Sequence, residues 1–492
     1  MALLPSAVPI RWKGGPLDIA LRAKSDGFTP QARQTLERYH EPASLDILKG
    51  SPIDCLVVSW AAGLPEDAAQ QKSAEALIAA ARQRNLTVVG WVEGAADHAA
   101  AISAARAAGL AAVAIENFKG PTDFPVIPWG ERARMPWEAS GPFLAVSDNV
   151  WPGVTMPGYG DSAGPTSAPW LDSNGWFLQM ARARVQKPIW MMFDPPAKGR
   201  ILTAANYQTA ICDAEIAGGR WVISLDETVR AGLAEGNATA RATLSQIGGA
   251  ITFFDKHADW RTFRSLGVFG VISDFTGENY DMSGEILNLS ARRNLQFRVI
   301  WKSQAMAQPF TGLKALIYAD KAAPEPALRR KLMAFAQQGG LLITGPKWGP
   351  EGTPADAGFD TQFALRAFGK GRLAVAKDEL TDAFQVAGDA QLLLSHANDL
   401  VKVYNAASSG CTLVMGSPDG KRALVQVLSY ATGRVSGART VWVRQHYRSA
   451  RVWSIGTEEP VSMEPAPADE YVGVECPIPA AVPGYFALEF EV

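Results

Sequence analysis

Five times in the first half of this chain a short apolar run ends in an acidic residue. Leu86–Val92 ends at Glu93, Ala111–Ile115 at Glu116, Pro142–Ser147 at Asp148, Ile189–Phe193 at Asp194 and Trp221–Leu225 at Asp226. Runs of this length, separated mostly by helical periodicity, read as buried parallel strands. In a closed parallel barrel all strand C-termini open onto one face, and that face carries the site. The pattern therefore predicts a ring of carboxylates around one cleft. Trp60, Trp91, Trp151 and Trp170 fall beside the same strand ends. Carboxylates supply acid and base, and an indole face supplies a flat apolar surface for a sugar ring.

The alternation continues to about residue 264. Further strands are expected at Pro9–Lys13 and Cys55–Trp60, and helices at about 65–84, 95–108, 173–185 and 204–217. Gly109 and Gly218-Gly219 stand where helix C-caps belong. Seven or eight strands over that length fit a (β/α)8 barrel better than an open sheet. Arg11-Trp12-Lys13-Gly14-Gly15-Pro16 lacks the Gly-rich turn of a dinucleotide fold, so no cofactor is expected. Long Trp-, Pro- and Gly-rich loops are expected at 117–141 and 149–171.

With 492 residues, one core is not enough, and composition shifts mark two more domains. Val268–Asp274 opens a second strand–helix alternation that Gly339–Thr344 closes, giving a small flavodoxin-like domain over 265–370. From 371 to 492 short alternating segments such as Ala423–Leu428 predict an antiparallel β-sandwich. The fold class is thus α/β: a TIM-like barrel over 1–264, a flavodoxin-like domain and a C-terminal sandwich.

A formal charge of -2 argues against a nucleic-acid partner, and no apolar run approaches the roughly 20 residues of a membrane span. Cys55, Cys212, Cys411 and Cys476 have no metal-ligand spacing, so no metal is expected. The opening Met1-Ala2-Leu3-Leu4-Pro5 lacks a basic region, which leaves localisation open between cytoplasm and, after removal of a signal, periplasm or medium.

Phe335-Ala336-Gln337-Gln338-Gly339-Gly340-Leu341-Leu342-Ile343, Phe368–Arg372, Val403-Tyr404-Asn405 and Pro483–Glu489 carry a family likeness. Together with the domain order they resemble the multidomain TIM-barrel glycoside hydrolases related to the trimeric β-galactosidases. That resemblance implies an amidotransferase-like middle domain, a sandwich and assembly as a homo-oligomer, dimer or trimer. It also implies a catalytic acid/base after the fourth barrel strand, within an Asn-Glu pair, and a nucleophile after the seventh. Here the fourth strand ends Glu116-Asn117, the reverse order, and the seventh is read as ending at Asp226-Glu227. Residues 265–370 contain no cysteine, so an amidotransferase nucleophile is absent. Trp348 and the turn Asp274–Tyr280 are the expected contact points between subunits.

The expected activity is hydrolysis of O-glycosidic bonds in an oligo- or polysaccharide, with Glu116 and Asp226 as the pair and Glu93, Asp148 and Asp194 in reserve. Lys13, Trp60, Trp91, Asn149, Trp151, Trp170 and Asn174 are expected to bind the sugar. Other roles compete. Asp226 precedes a helical segment and suits an N-cap, and Trp151 or Trp170 could anchor its loop by packing. A sugar-binding protein without turnover is the alternative to an enzyme.

Overall fold

The computed structural model describes residues 4–94, 96–148, 150–152, 154–155, 162–163, 172–195, 202–405, 410–430, 438–445, 447–467, 472–479 and 484–492. The chain divides into two compact units. The first is built mainly from residues up to 152 and Gln186–Lys256, the second from His257–Val492 together with the helix Gly175–Arg184.

The first unit is an eight-stranded parallel barrel with strands in chain order: β1 Pro9–Trp12, β2 Cys55–Ala61, β3 Thr87–Val92, β4 Ala112–Glu116, β5 Val126–Gly130, β6 Leu144–Val146, β7 Ile189–Met191 and β8 Arg220–Trp221. Closure is made just past β8, where Arg11 N–H donates to the Ile223 carbonyl at 2.7 Å and Ile223 N–H to the Pro9 carbonyl at 2.9 Å. The barrel thus has eight strands, one of them in a stretch read as loop. Val126-Ile127-Pro128-Trp129-Gly130 forms β5 inside the stretch expected to be one long loop. Its addition moves Asp194 to the end of the seventh strand and Asp226 beyond the eighth.

Side chains alternate along each strand. Cys55, Val57, Val89, Trp91, Ala112, Ala114, Ile127, Trp129, Phe143, Ala145, Trp190 and Val222 form one buried cluster that fills the barrel. The opposite parity packs on the helices. Trp60 is 0% exposed and its indole N–H donates to the Ala101 carbonyl of α4 (His98–Ala108) at 2.9 Å. Gly90 on β3 makes room for that ring, since a Cβ there would meet Trp60 at 3.0 Å. Helix α4 ends, as its sequence predicts, at Gly109 in the left-handed conformation, φ 72°. Cys55 and Cys212 are buried free thiols.

One buried ion pair ties the barrel wall to its helices. Arg220 of β8 lies 3.3 Å from Glu215 at the end of the helix Ala204–Ile216 and also pairs with Asp255 of the helix Ala238–Lys256. Removing one member of a buried pair strands the other charge. Arg220→Ala should therefore lower the unfolding free energy by about 3–5 kcal/mol in urea titrations. A loss below about 1 kcal/mol, the scale of surface pairs, would show that solvent screens it.

In the second unit, Phe269–Ser273 (β9), Phe297–Trp301 (β10), Ala315–Tyr318 (β11), Leu341–Thr344 (β12) and Gly371–Ala376 pair in parallel in the spatial order β10-β9-β11-β12-(371–376). This is the flavodoxin-like order. An antiparallel strand, Phe363–Phe368, extends it. Two antiparallel sheets follow, one centred on Arg422–Ser429 and Tyr485–Glu491, the other on Arg439–Val443 and Val474–Ile478. Their facing residues, among them Val425, Val441, Val452, Cys476 and Leu488, form one core. Two expected contact points are otherwise engaged. Trp348 is buried, with the Arg329 guanidinium 4.5 Å from its ring centroid. Asp274 closes its own turn by accepting from Thr276 N–H and from the Asn279 amide.

Candidate active site

The C-terminal mouth of the barrel is assembled from the inward parity of its strands. Continuing that parity past the buried layers gives Arg11 and Lys13 after β1, Ser59 on β2, Glu93 after β3, Glu116 on β4, Asp194 after β7 and Ser224 after β8. Trp91 and Trp129 stack at 4.6 Å beneath them and close the barrel floor.

Arg11 organises one side of the mouth. Its side chain is 5% exposed, and Nη2 donates to Ser59 Oγ at 3.3 Å and to Glu93 Oε1 at 3.4 Å. Ser59 in turn donates to the buried Asp18 at 2.7 Å. The Trp91 indole N–H also donates to Glu93 Oε1, at 2.6 Å, so two donors clamp one oxygen of that carboxylate. The Arg11 guanidinium lies 5.2 Å from the Trp91 ring centroid. With Arg11 and Trp129 on its faces and only 3% exposure, Trp91 offers no surface for stacking a sugar. It positions Glu93 instead. Sequence reasoning names Lys13 but misses Arg11, although two residues apart on a strand share a face.

Asp194 occupies the opposite side. Lys13 Nζ ion-pairs with its Oδ2 and Ser224 Oγ donates to its Oδ1 at 2.8 Å. Desolvation pushes this carboxyl up, but the Lys13 ammonium, the Arg11 guanidinium and the two hydrogen bonds outweigh it and hold its pKa well below the usual range. The side chain keeps 54% of its surface open, so it is both ionised and reachable. Lys13, expected to bind sugar, serves this carboxylate.

Glu116 is half-buried at the end of β4, in register with Trp129, and has no hydrogen-bond or ion-pair partner among the described residues. The next residue, Asn117, turns the chain with φ 46°. Asp148 stands on the exposed rim after β6 and accepts from Arg132 N–H at 2.5 Å. Desolvation raises its pKa and that bond opposes the rise. With the residue itself exposed, its evident work is to tie two rim segments together.

The remaining expectations change. Asp226 is the N-cap of α7 (Glu227–Ala234): Oδ1 accepts from Thr228 and Val229 N–H at 2.8 and 3.0 Å, and Oδ2 accepts from the Tyr207 hydroxyl at 2.8 Å. Both oxygens of Asp226 hold structure, as the capping alternative has it. Asp226→Ala should cost about 0.5–2 kcal/mol, the worth of a cap. At a temperature where it remains folded, its activity should stay within a few-fold of wild type, and a collapse of kcat would return Asp226 to the chemistry. Trp151 is 1% exposed, edge-on to Tyr207 and Trp221, with its indole N–H directed at the Phe193 carbonyl. It anchors its loop instead of presenting a face. Trp60 packs on α4, as described above. Asn174 belongs to the second unit and is fully buried there at the start of the helix Gly175–Arg184. Asn149 and Trp170 lie outside the described residues.

The fold is a parallel TIM-like barrel followed by an α/β domain and two antiparallel sheets, and the barrel mouth gathers carboxylates, two cations and buried indoles. An α-L-fucosidase isoenzyme from Paenibacillus thiaminolyticus shares the fold over 99% of both chains, with TM-score 0.58 and 10% sequence identity. An exo-β-1,4-mannosidase from Opitutaceae bacterium strain TAV5 aligns over 78% of this chain and 93% of its own, with TM-score 0.48 and 10% identity. A GH42 β-galactosidase from G. stearothermophilus aligns over 87% and 68%, with TM-score 0.44 and 10% identity. The sequence matches no family model and no curated protein.

Proposed function

We propose that the chain is a glycoside hydrolase acting on O-glycosidic bonds, with Glu116 as the proton donor and Asp194 as the ionised carboxylate. The observation that carries this reading is the division of labour among the mouth carboxylates. Asp194 is held ionised by Lys13 and Arg11, whereas Glu116 is partly buried and has no partner among the described residues. Glycosidases need this asymmetry: one carboxyl free to carry a proton to the leaving oxygen, another kept negative to attack or to activate water. The two stand after the fourth and seventh strands, where the resembling enzymes place their acid/base and nucleophile. Glu93, clamped through one oxygen by Arg11 and Trp91, is suited to bind a sugar hydroxyl through the other. The likeness to an α-L-fucosidase with TM-score 0.58 supports testing α-L-fucosides first in a panel of aryl glycosides. Wild-type protein should release nitrophenol from at least one aryl glycoside of such a panel. Calorimetric binding of a glycan with no turnover would replace the enzyme reading with that of a sugar-binding protein.

A further inference from the structure

Asp18 is a buried carboxylate that none of the chemistry proposed above uses. It lies in the first turn of α1 (Pro16–Ala23), the helix that follows β1, and is 6% exposed. Its Oδ2 accepts from Gly14 N–H at 2.7 Å and its Oδ1 from Ser59 Oγ at 2.7 Å, with no cation in ion-pair contact among the described residues. A carboxylate buried without a cation costs stability. The bond to Gly14 closes the turn at the helix start, where a negative charge is favourable. The bond to Ser59 does nothing for the helix; it reaches across to β2.

These two bonds lead to the two cations of the mouth. Gly14 N–H belongs to the peptide that joins Lys13 to Gly14, so the first bond fixes the backbone from which Lys13 reaches Asp194. A hydroxyl has one proton, so Ser59, donating to Asp18, is left an acceptor toward Arg11 Nη2 at 3.3 Å. The turn has little freedom to adapt. Gly15 has φ 97°, a Cβ on Gly14 would lie 2.9 Å from the His40 amide nitrogen, and the Gln70 amide donates to the Gly14 carbonyl at 3.0 Å and the Ser59 carbonyl at 3.2 Å.

We propose that Asp18 is a positioning residue for the barrel mouth, setting Arg11 through Ser59 and Lys13 through the Gly14 amide, and so the two cations that hold Asp194. The inference rests on the reading of Asp194 as the ionised carboxylate of the site. The other titratable groups around this network are Glu93 on Arg11, Glu227 on Arg22 and near Lys13, and His40 beside Gly15. Two effects of losing the Asp18 carboxylate have opposite signs. Removing a negative charge by itself favours the ionised form of Asp194 and lowers its pKa. Releasing Arg11 and Lys13 weakens their field at Asp194 and raises it. Only the second is the mark of a positioning residue.

The test is the change in unfolding free energy caused by Asp194→Asn, measured in urea on the whole chain between about pH 7 and about pH 3, in wild type and in the Asp18→Asn and Ser59→Ala backgrounds. A carboxyl with a depressed folded pKa contributes stability above its unfolded value and loses it as pH falls. In wild type the cost of Asp194→Asn should therefore be larger at the upper pH than at the lower. Asp18→Asn should shrink that pH-dependent part by about half or more, since less of the cations' field reaches Asp194. Ser59→Ala leaves every charge in place and breaks only the link to Arg11. It should shrink the same part by a smaller share, and it decides the matter where the asparagine variant does not fold. An unchanged or larger pH-dependent part in either folded variant, or none in wild type, would overturn the assignment. The readout needs no turnover, so its failure and the failure of the glycosidase reading are seen separately.

Discussion

Glu116→Gln should lower kcat by roughly two to four orders of magnitude on glycosides with poor leaving groups, and much less on dinitrophenyl glycosides. The difference follows from the role assigned to Glu116. An alkoxide leaving group needs a proton in the transition state, whereas a dinitrophenolate departs without one. Glutamine keeps the size of the side chain and removes the proton. Because Glu116 makes no bond within the described structure, its replacement breaks none, and the melting temperature should stay near that of wild type. The variant should also lose the limb of the pH profile that reports the general acid. A kcat equal to wild type on poor leaving groups would remove Glu116 from the chemistry and bring forward Glu93, just past the end of β3.

Asp194→Asn should be as damaging to kcat, about a hundredfold or more, whatever the leaving group, because a neutral amide neither attacks nor activates water. It should also change the response of stability to pH. The folded pKa of Asp194 is depressed below the unfolded value of about 3.9. Its contribution to stability is therefore fully present above that unfolded value, and is lost as pH falls through the folded one. Wild type should lose stability on acidification below about pH 4 more steeply than the asparagine variant. The variant also leaves Lys13 facing Arg11 without the carboxylate between them, so some stability should be lost at neutral pH. Denaturant titrations of the two proteins between neutral and acidic pH read both effects. Parallel curves would mean that Lys13 and Arg11 do not bias the ionisation of Asp194.

Much of this arrangement is legible in the amino-acid sequence alone. Apolar runs of five to seven residues with acidic ends mark β3, β4, β6, β7 and the strand before Asp226 as parallel and buried, and place the acidic ends on one face. The missing strand, β5, escapes notice because Pro128 stands in its middle, and proline argues against a central strand. That single omission shifts the count and puts Asp226 at the end of the seventh strand, where the structure has Asp194. The capping alternative for Asp226 is visible in the helical segment behind it, and the structure bears it out with two N–H bonds. The tryptophans mislead for a different reason. Proximity to a strand end says nothing of parity, and Trp60 sits one residue past Ser59, on the helix-facing side of β2. Arg11 is hidden by the shortness of β1. Four residues, Pro9-Ile10-Arg11-Trp12, give too little alternation to announce that a charge points into the barrel.

The central claim is that Glu116, without a partner among the described residues, and a cation-held Asp194 form one glycosidase site. The most direct measurement is hydrolysis of a panel of aryl α- and β-glycosides by wild type, Glu116→Gln, Asp194→Asn and the double variant, each verified as folded. Wild type should turn over at least one glycoside, and the double variant should be no worse than the poorer single, because residues acting as one unit are not additive. Wild-type turnover that persists in the double variant would contradict that claim.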